Sequence, residues 1–132
     1  MSEHFISREE AESDILSCAA FLAERIKSGD GHAEAMRAVV PQYLAKGNVD
    51  LAAELSDAVD DPYSRDKLLI LVAEKCAELD DDEYALQLAD AMDDQGLQSQ
   101  ARERIAIQKA MKGDFATAQT VADAMAHPDF VY

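Results

Sequence analysis

Three histidines, two cysteines and one run of acids are the side chains with which this 132-residue chain could do chemistry. His4, His32 and His127 share no metal-ligand spacing, and none stands beside a cysteine in sequence, so the pattern of a zinc site is missing. Asp80-Asp81-Asp82-Glu83 has the composition of a calcium loop but not its alternating ligands, central glycine or distal bidentate Glu, and helix capping accounts for it. No glycine-rich phosphate loop and no nucleophile elbow occur, and no His stands where it would activate a Ser or Cys. Carboxylates are too numerous to nominate an acid–base pair. The expectation is a protein that is not an enzyme and needs no cofactor and no metal.

The charge balance narrows the partners. Asp and Glu number 27 against 12 Lys and Arg, a formal charge of −15, and a uniformly acidic surface is repelled by nucleic-acid backbones and anionic lipid headgroups. Nucleic acid and membrane are therefore not expected partners; protein or peptide is. With 48% hydrophobic residues the chain is too apolar for a disordered acidic tail, and its length suits one domain over 1–132 with a core that needs no staples. Cys18 and Cys76 lie far apart, each inside an apolar helical pattern, so buried inert thiols are expected. The opening Met-Ser-Glu-His lacks the basic and apolar stretches of a secretory signal, which points to a reducing, cytoplasmic setting.

Any site must be positioned by helices, because 24 Ala against 5 Gly, 3 Pro and no Trp favour helix over strand. An internal repeat sets their order. Ala89-Asp90-Ala91-Met92 recurs as Ala122-Asp123-Ala124-Met125, an offset of 33, and one step back lies Ser56-Asp57-Ala58-Val59. The same step aligns Ala52, Ala85 and Ala118; Leu55, Leu88 and Val121; and Val39, Val72 and Ile105. Each unit reads as two helices around a short break, Lys46-Gly47-Asn48 and Lys112-Gly113-Asp114 in the outer units, with Gly suited to the left-handed position after a helix and Asn or Asp to the next N-cap. In the middle unit Asp80 replaces that Gly, a poorer but tolerable choice.

Helices are expected near 7–28, 33–46, 49–59, 64–79, 82–93, 98–112 and 115–126. Residues 1–30 are expected as an N-terminal cap or, through the match of Ala19, Leu22 and Ile26 to later units, as half a degenerate repeat, and 33–63, 64–96 and 97–129 as three hairpins. Ser7 and Glu10 open the first helix as a capping box. Pro41 predicts a kink or break, Ser28-Gly29-Asp30-Gly31 a flexible loop, and Phe130-Val131-Tyr132 a segment that frays or folds over the last hairpin. Asp57, Asp90 and Asp123, one per unit, either accept hydrogen bonds from the next unit's first helix, simply solvate a surface, or form an acidic edge for a cation or basic peptide.

Over residues 33 to 126 the chain resembles a degenerate tetratricopeptide (TPR) array. Its third unit carries Ile105-Ala106, Gly113, Phe115, Ala118 and Met125 where that family favours Leu-Gly, Gly, an aromatic, Ala and Ala; its first carries Val39, Tyr43, Gly47, Ala52 and a trailing Pro62. The period is 33 where the family has 34, and Met36, Leu69 and Arg102 fill its first-helix Trp position. The resemblance implies an all-α, short right-handed α-solenoid of antiparallel hairpins, about seven helices in all, binding protein or peptide on its concave face. Groove positions carried over are Glu34 and Arg37, then Lys67, Ile70 and Glu74, then Gln100, Glu103, Arg104 and Ile107. Arg37, Lys67 and Arg104 either hold a carboxylate or an extended peptide or merely pair with neighbouring Glu on a solvated face. The family's carboxylate-clamp Asn is replaced by Pro41, Glu74 and Ile107, so that ligand is not implied. A small acidic chaperone for a protein client and a self-associating structural subunit, a homo-oligomer, are the alternative functions.

Overall fold

A computed structural model describes residues 4–125, and among them it contains helices and no strand. The elements are α1 (Arg8–Ala11), α2 (Ile15–Glu24), α3 (Gly29–Ala45), α4 (Val49–Asp57), α5 (Pro62–Glu78), α6 (Asp82–Asp90), α7 (Gln95–Met111) and α8 (Phe115–Asp123). The helices follow the sequence period closely. α3, α5 and α7 are each 17 residues long and α4, α6 and α8 each nine. Both sets begin at intervals of 33, so the period read from side chains is also a period of backbone structure.

The turn inside each hairpin is built in the same way three times. Gly47, Asp80 and Gly113 hold φ of 80°, 68° and 84°, the left-handed conformation that glycine adopts freely and Asp tolerates. The next amide reaches back to the carbonyl five residues earlier, Asn48 to Tyr43, Asp81 to Cys76 and Asp114 to Lys109, at 3.0, 2.8 and 2.9 Å. That closes a Schellman motif, satisfying helix-end carbonyls that would otherwise have no partner. The same residue then caps the following helix, as the Asn48, Asp81 and Asp114 side chains accept from the amides of Leu51, Tyr84 and Thr117. One residue thus ends one helix and starts the next, which leaves room only for a tight antiparallel pair.

Several helix starts lie upstream of those expected. Ser28, Asp61 and Asp94 are the caps, accepting from Gly31, Ser64 and Leu97. Gly29-Asp30-Gly31, Pro62 and Gln95-Gly96 therefore belong to first turns, where a missing amide or side chain costs little because those amides have no intrahelical acceptor. The expected flexible loop at 28–31 is the start of α3. Pro41 does not break α3, which continues to Ala45. The expected helix at 7–28 is divided instead. Ser7 and Glu10 form their capping box, but after α1 the Ser13 hydroxyl bonds to the Glu10 carbonyl and Asp14 captures both the amide and the hydroxyl of Ser17. Those side chains compete with the helical ladder and restart it as α2.

The chain divides into two compact units at Leu68/Leu69, inside α5. In the first, α1 packs on α2, α2 on α3 and α3 on α4, around Ile6, Met36, Val40, Ala52 and Leu55. The Glu24 carboxylate accepts from the amides of Phe5 and Ile6 at 2.7 and 2.9 Å and ties the segment before α1 to α2. In the second, α6 packs on α7 and α7 on α8, around Val72, Cys76, Ala85, Ala89 and Ile105. The segment Phe130-Val131-Tyr132 and His127 lie outside the described residues.

Candidate functional site

α7 is the element from which the second unit's surface chemistry is best understood, because it faces two ways. Toward α5 and α6 its cations are engaged. Arg102 pairs with Asp90, Arg104 Nη1 lies 3.2 Å from Glu74 Oε1, and Lys109 Nζ lies 3.0 Å from Asp80 and 2.9 Å from Asp82. Gln108 Nε2 donates to the other Glu74 oxygen at 3.3 Å, and Lys112 donates to the Glu78 carbonyl at 2.6 Å. Lys109 is buried, at a repeat position filled by Tyr43 and Cys76 in the earlier units. Pairing with the carboxylates of Asp82, then Asp80, raises its pKa, while pairing with Lys109 and then Lys112 holds the Asp80 carboxyl below its ordinary range. Burying an ammonium is tolerable only with such partners.

Away from α5 and α6, α7 and α8 enclose an apolar cleft of about 440 Å3. Ala106 and Ala110 of α7 and Ala118 and Ala122 of α8 keep its floor low, Ile107 and Phe115 stand beside it, and Glu103 and Gln119 border it. Ile107 is 48% exposed, Phe115 69% and the neighbouring Met111 75%. Three large apolar side chains are thus left in water on one hairpin of a chain carrying −15 charge, which is costly.

The expected groove residues divide differently. Ile70 is buried and serves the core, a correction to its placement on a binding face; α5 turns its apolar side inward there. Glu74 and Arg104 hold each other, so the Arg104 charge is already compensated. Gln100 is exposed, and Ile107 belongs to the α7–α8 cleft. Arg37 and Lys67 lie in the first unit, both exposed, with the Lys67 ammonium 6.0 Å from the Tyr63 ring. Of the periodic acids, each the last residue of its nine-residue helix, Asp90 does receive the next unit's first helix through Arg102. Asp123 accepts from Gln119 of its own helix at 2.8 Å.

Two further clefts lie in the first unit. One, of about 620 Å3, runs between α2 and α3 past Ile15, Leu16, Ala19 and Val39, with Asp14 and Lys46 of opposite sign beside it. The other, of about 430 Å3, is polar and brings His4 and His32 to one surface with Glu24, Arg25, Lys27 and Asp60. Among the described residues no three His, Cys, Asp or Glu side chains are grouped to hold a metal ion, and no helix is long and apolar enough to cross a membrane. Cys18 is exposed, contrary to the expectation of two buried thiols, because α2 turns it outward while burying Ala20 and Ala23; Cys76 is buried as expected.

Sequence reasoning passed over Phe115, Met111 and Lys109 as site residues. Phe115 stood in the alignment as a family aromatic. Its equivalents Val49 and Asp82 already signalled that this position differs at the last hairpin. No family model matches the chain, and neither a curated protein nor a solved structure matches it.

Proposed function

We propose that this protein is a binding adaptor, a cytoplasmic scaffold without catalytic activity that docks a protein or peptide on TPR-like helical hairpins. The observation that carries this reading is the open α7–α8 cleft, where Ile107 and Phe115 stand in solvent above a floor of alanines. Side chains of that size cluster in water at the cost of solubility unless a partner covers them. The exposed cations Arg37 and Lys67 provide a separate contact surface for acidic groups, in line with the family resemblance.

Affinity capture with the wild-type chain and an Ile107→Asp, Phe115→Asp variant in parallel tests this reading. Both residues are largely exposed, so the variant keeps its helical circular dichroism. Proteins retained by the wild type and lost by the variant are the expected result; an identical set on both would remove the cleft from the binding surface. An Arg37→Glu, Lys67→Glu variant that alone loses the partner would move the site to the cations of the first unit. Sedimentation at several concentrations separates the self-associating subunit, whose mass would rise with concentration, from a monomeric adaptor or chaperone.

A further inference from the structure

The seating of α7 shows what kind of surface the α7–α8 cleft is. α7 packs on α6 and reaches α5 through Arg104 and Gln108, both on Glu74. On α5 and α6 the residues Ala73, Ala77, Ala85 and Ala89 are fully buried. Adding 33 to each number gives Ala106, Ala110, Ala118 and Ala122, the floor of the open cleft. Resting on the reading of the cleft as a docking surface, we infer that its occupant is a cationic amphipathic helix of a partner protein, seated on α7 and α8 as α7 is seated on α5 and α6.

The register specifies the chemistry of that helix. Arg102 meets Asp90, whose equivalent is Asp123, also the last residue of its helix and exposed. The occupant therefore carries Arg or Lys at that position. Arg104 meets Glu74, whose equivalent is Ile107, so two residues further on the occupant is apolar. Lys109 meets Asp82, whose equivalent is Phe115, so seven residues beyond the cation it is apolar again. Glu103 beside the cleft and the net charge of −15 favour cations over acids in such a partner, and disfavour a second copy of this chain. The α2–α3 cleft, bordered by Asp14 and Lys46, offers no such selection by charge.

The test is a fluorescence-anisotropy titration of the full chain with a labelled peptide of α7's own sequence, Gln95–Met111, carrying Glu103→Lys, Arg104→Leu and Lys109→Leu. This peptide is expected to bind, at least about tenfold more weakly to Asp123→Arg or Phe115→Asp chains. Pairing the Asp123→Arg chain with a peptide that also carries Arg102→Asp is expected to restore binding. Asp123 is exposed at a helix C-terminus, where Arg is well tolerated, so loss of fold does not explain its effect. No binding, or binding indifferent to both chain substitutions, overturns the inference. If the Arg102→Asp peptide binds the wild type as well as its parent and Phe115→Asp abolishes both, the cleft remains a docking surface and the cationic partner is wrong. Concentration-dependent dimerisation abolished by Phe115→Asp would make a second copy the occupant. Peptide binding seen only after removal of residues 126–132 would assign the cleft to that segment, and either result overturns the proposal.

Discussion

Ala85 and Ala118 occupy the same repeat position in two different surroundings, which makes their replacement by Leu a quantitative probe. Ala85 of α6 is fully buried in a helix pair closed by α7, whereas Ala118 of α8 is half-buried beside an open cleft of about 440 Å3. Extra carbons at residue 85 must displace close-packed neighbours, a cost of about 1–3 kcal/mol. For a chain of this length each kcal/mol corresponds to roughly 3–5 °C in thermal midpoint, so Ala85→Leu is expected to lower the midpoint by about 3–15 °C. At residue 118 the same carbons enter the cleft beside Ile107 and Phe115, and the midpoint should stay within about 2 °C of wild type or rise. Thermal denaturation followed by circular dichroism measures both. Equal destabilisation at the two positions would refute the reasoning, since it would mean that no open docking surface exists at Ala118.

Four other outcomes follow from local chemistry. Gly113 holds φ +84° with nothing within 4 Å of an added Cβ, so Gly113→Ala should cost about 1–2 kcal/mol from backbone strain alone, with an unchanged midpoint arguing against the left-handed turn. Hydrogen bonds from Thr117 hold the Asp114 carboxyl below its ordinary value of 3.8, so its stabilising contribution is present above that value and is lost as pH falls through the lowered pKa. Midpoints measured from about pH 5 down to about pH 2 should therefore fall less steeply for Asp114→Asn than for wild type, and parallel curves would contradict this. Lys109 behaves oppositely: its raised pKa keeps its contribution below 10.5 and loses it as pH rises through the raised value. A thiol reagent should modify Cys18 in the native protein and Cys76 only after unfolding, and two fast thiols would place Cys76 at the surface.

Helix positions were legible in the sequence because every hairpin carries its own stop and start: Gly or Asp in the left-handed turn, then Asn or Asp as cap. Pro62 and Gly96 misled only as to where helices begin, since residues that break a helix interior are harmless in its first turn. The division between α1 and α2 was hidden because Ser13 and Asp14 act through side-chain hydrogen bonds that apolar periodicity does not register. The α7–α8 cleft was less legible. Periodicity aligns Ala118 with Ala52 and Ala85, and three-dimensional placement was needed to show that it lines, with Ala106, Ala110 and Ala122, an open cleft. The pairing of Arg104 with Glu74 was equally hidden, for residues 30 apart in sequence meet only once α7 has folded against α5.

Amide chemical-shift mapping of the full chain during titration with the cationic α7-derived peptide tests the docking account most directly. The account predicts progressive shifts concentrated at Ala106, Ile107, Ala110, Phe115, Ala118 and Ala122, which form the cleft. Shifts centred on Arg37 and Lys67, or none at saturating peptide, would contradict it.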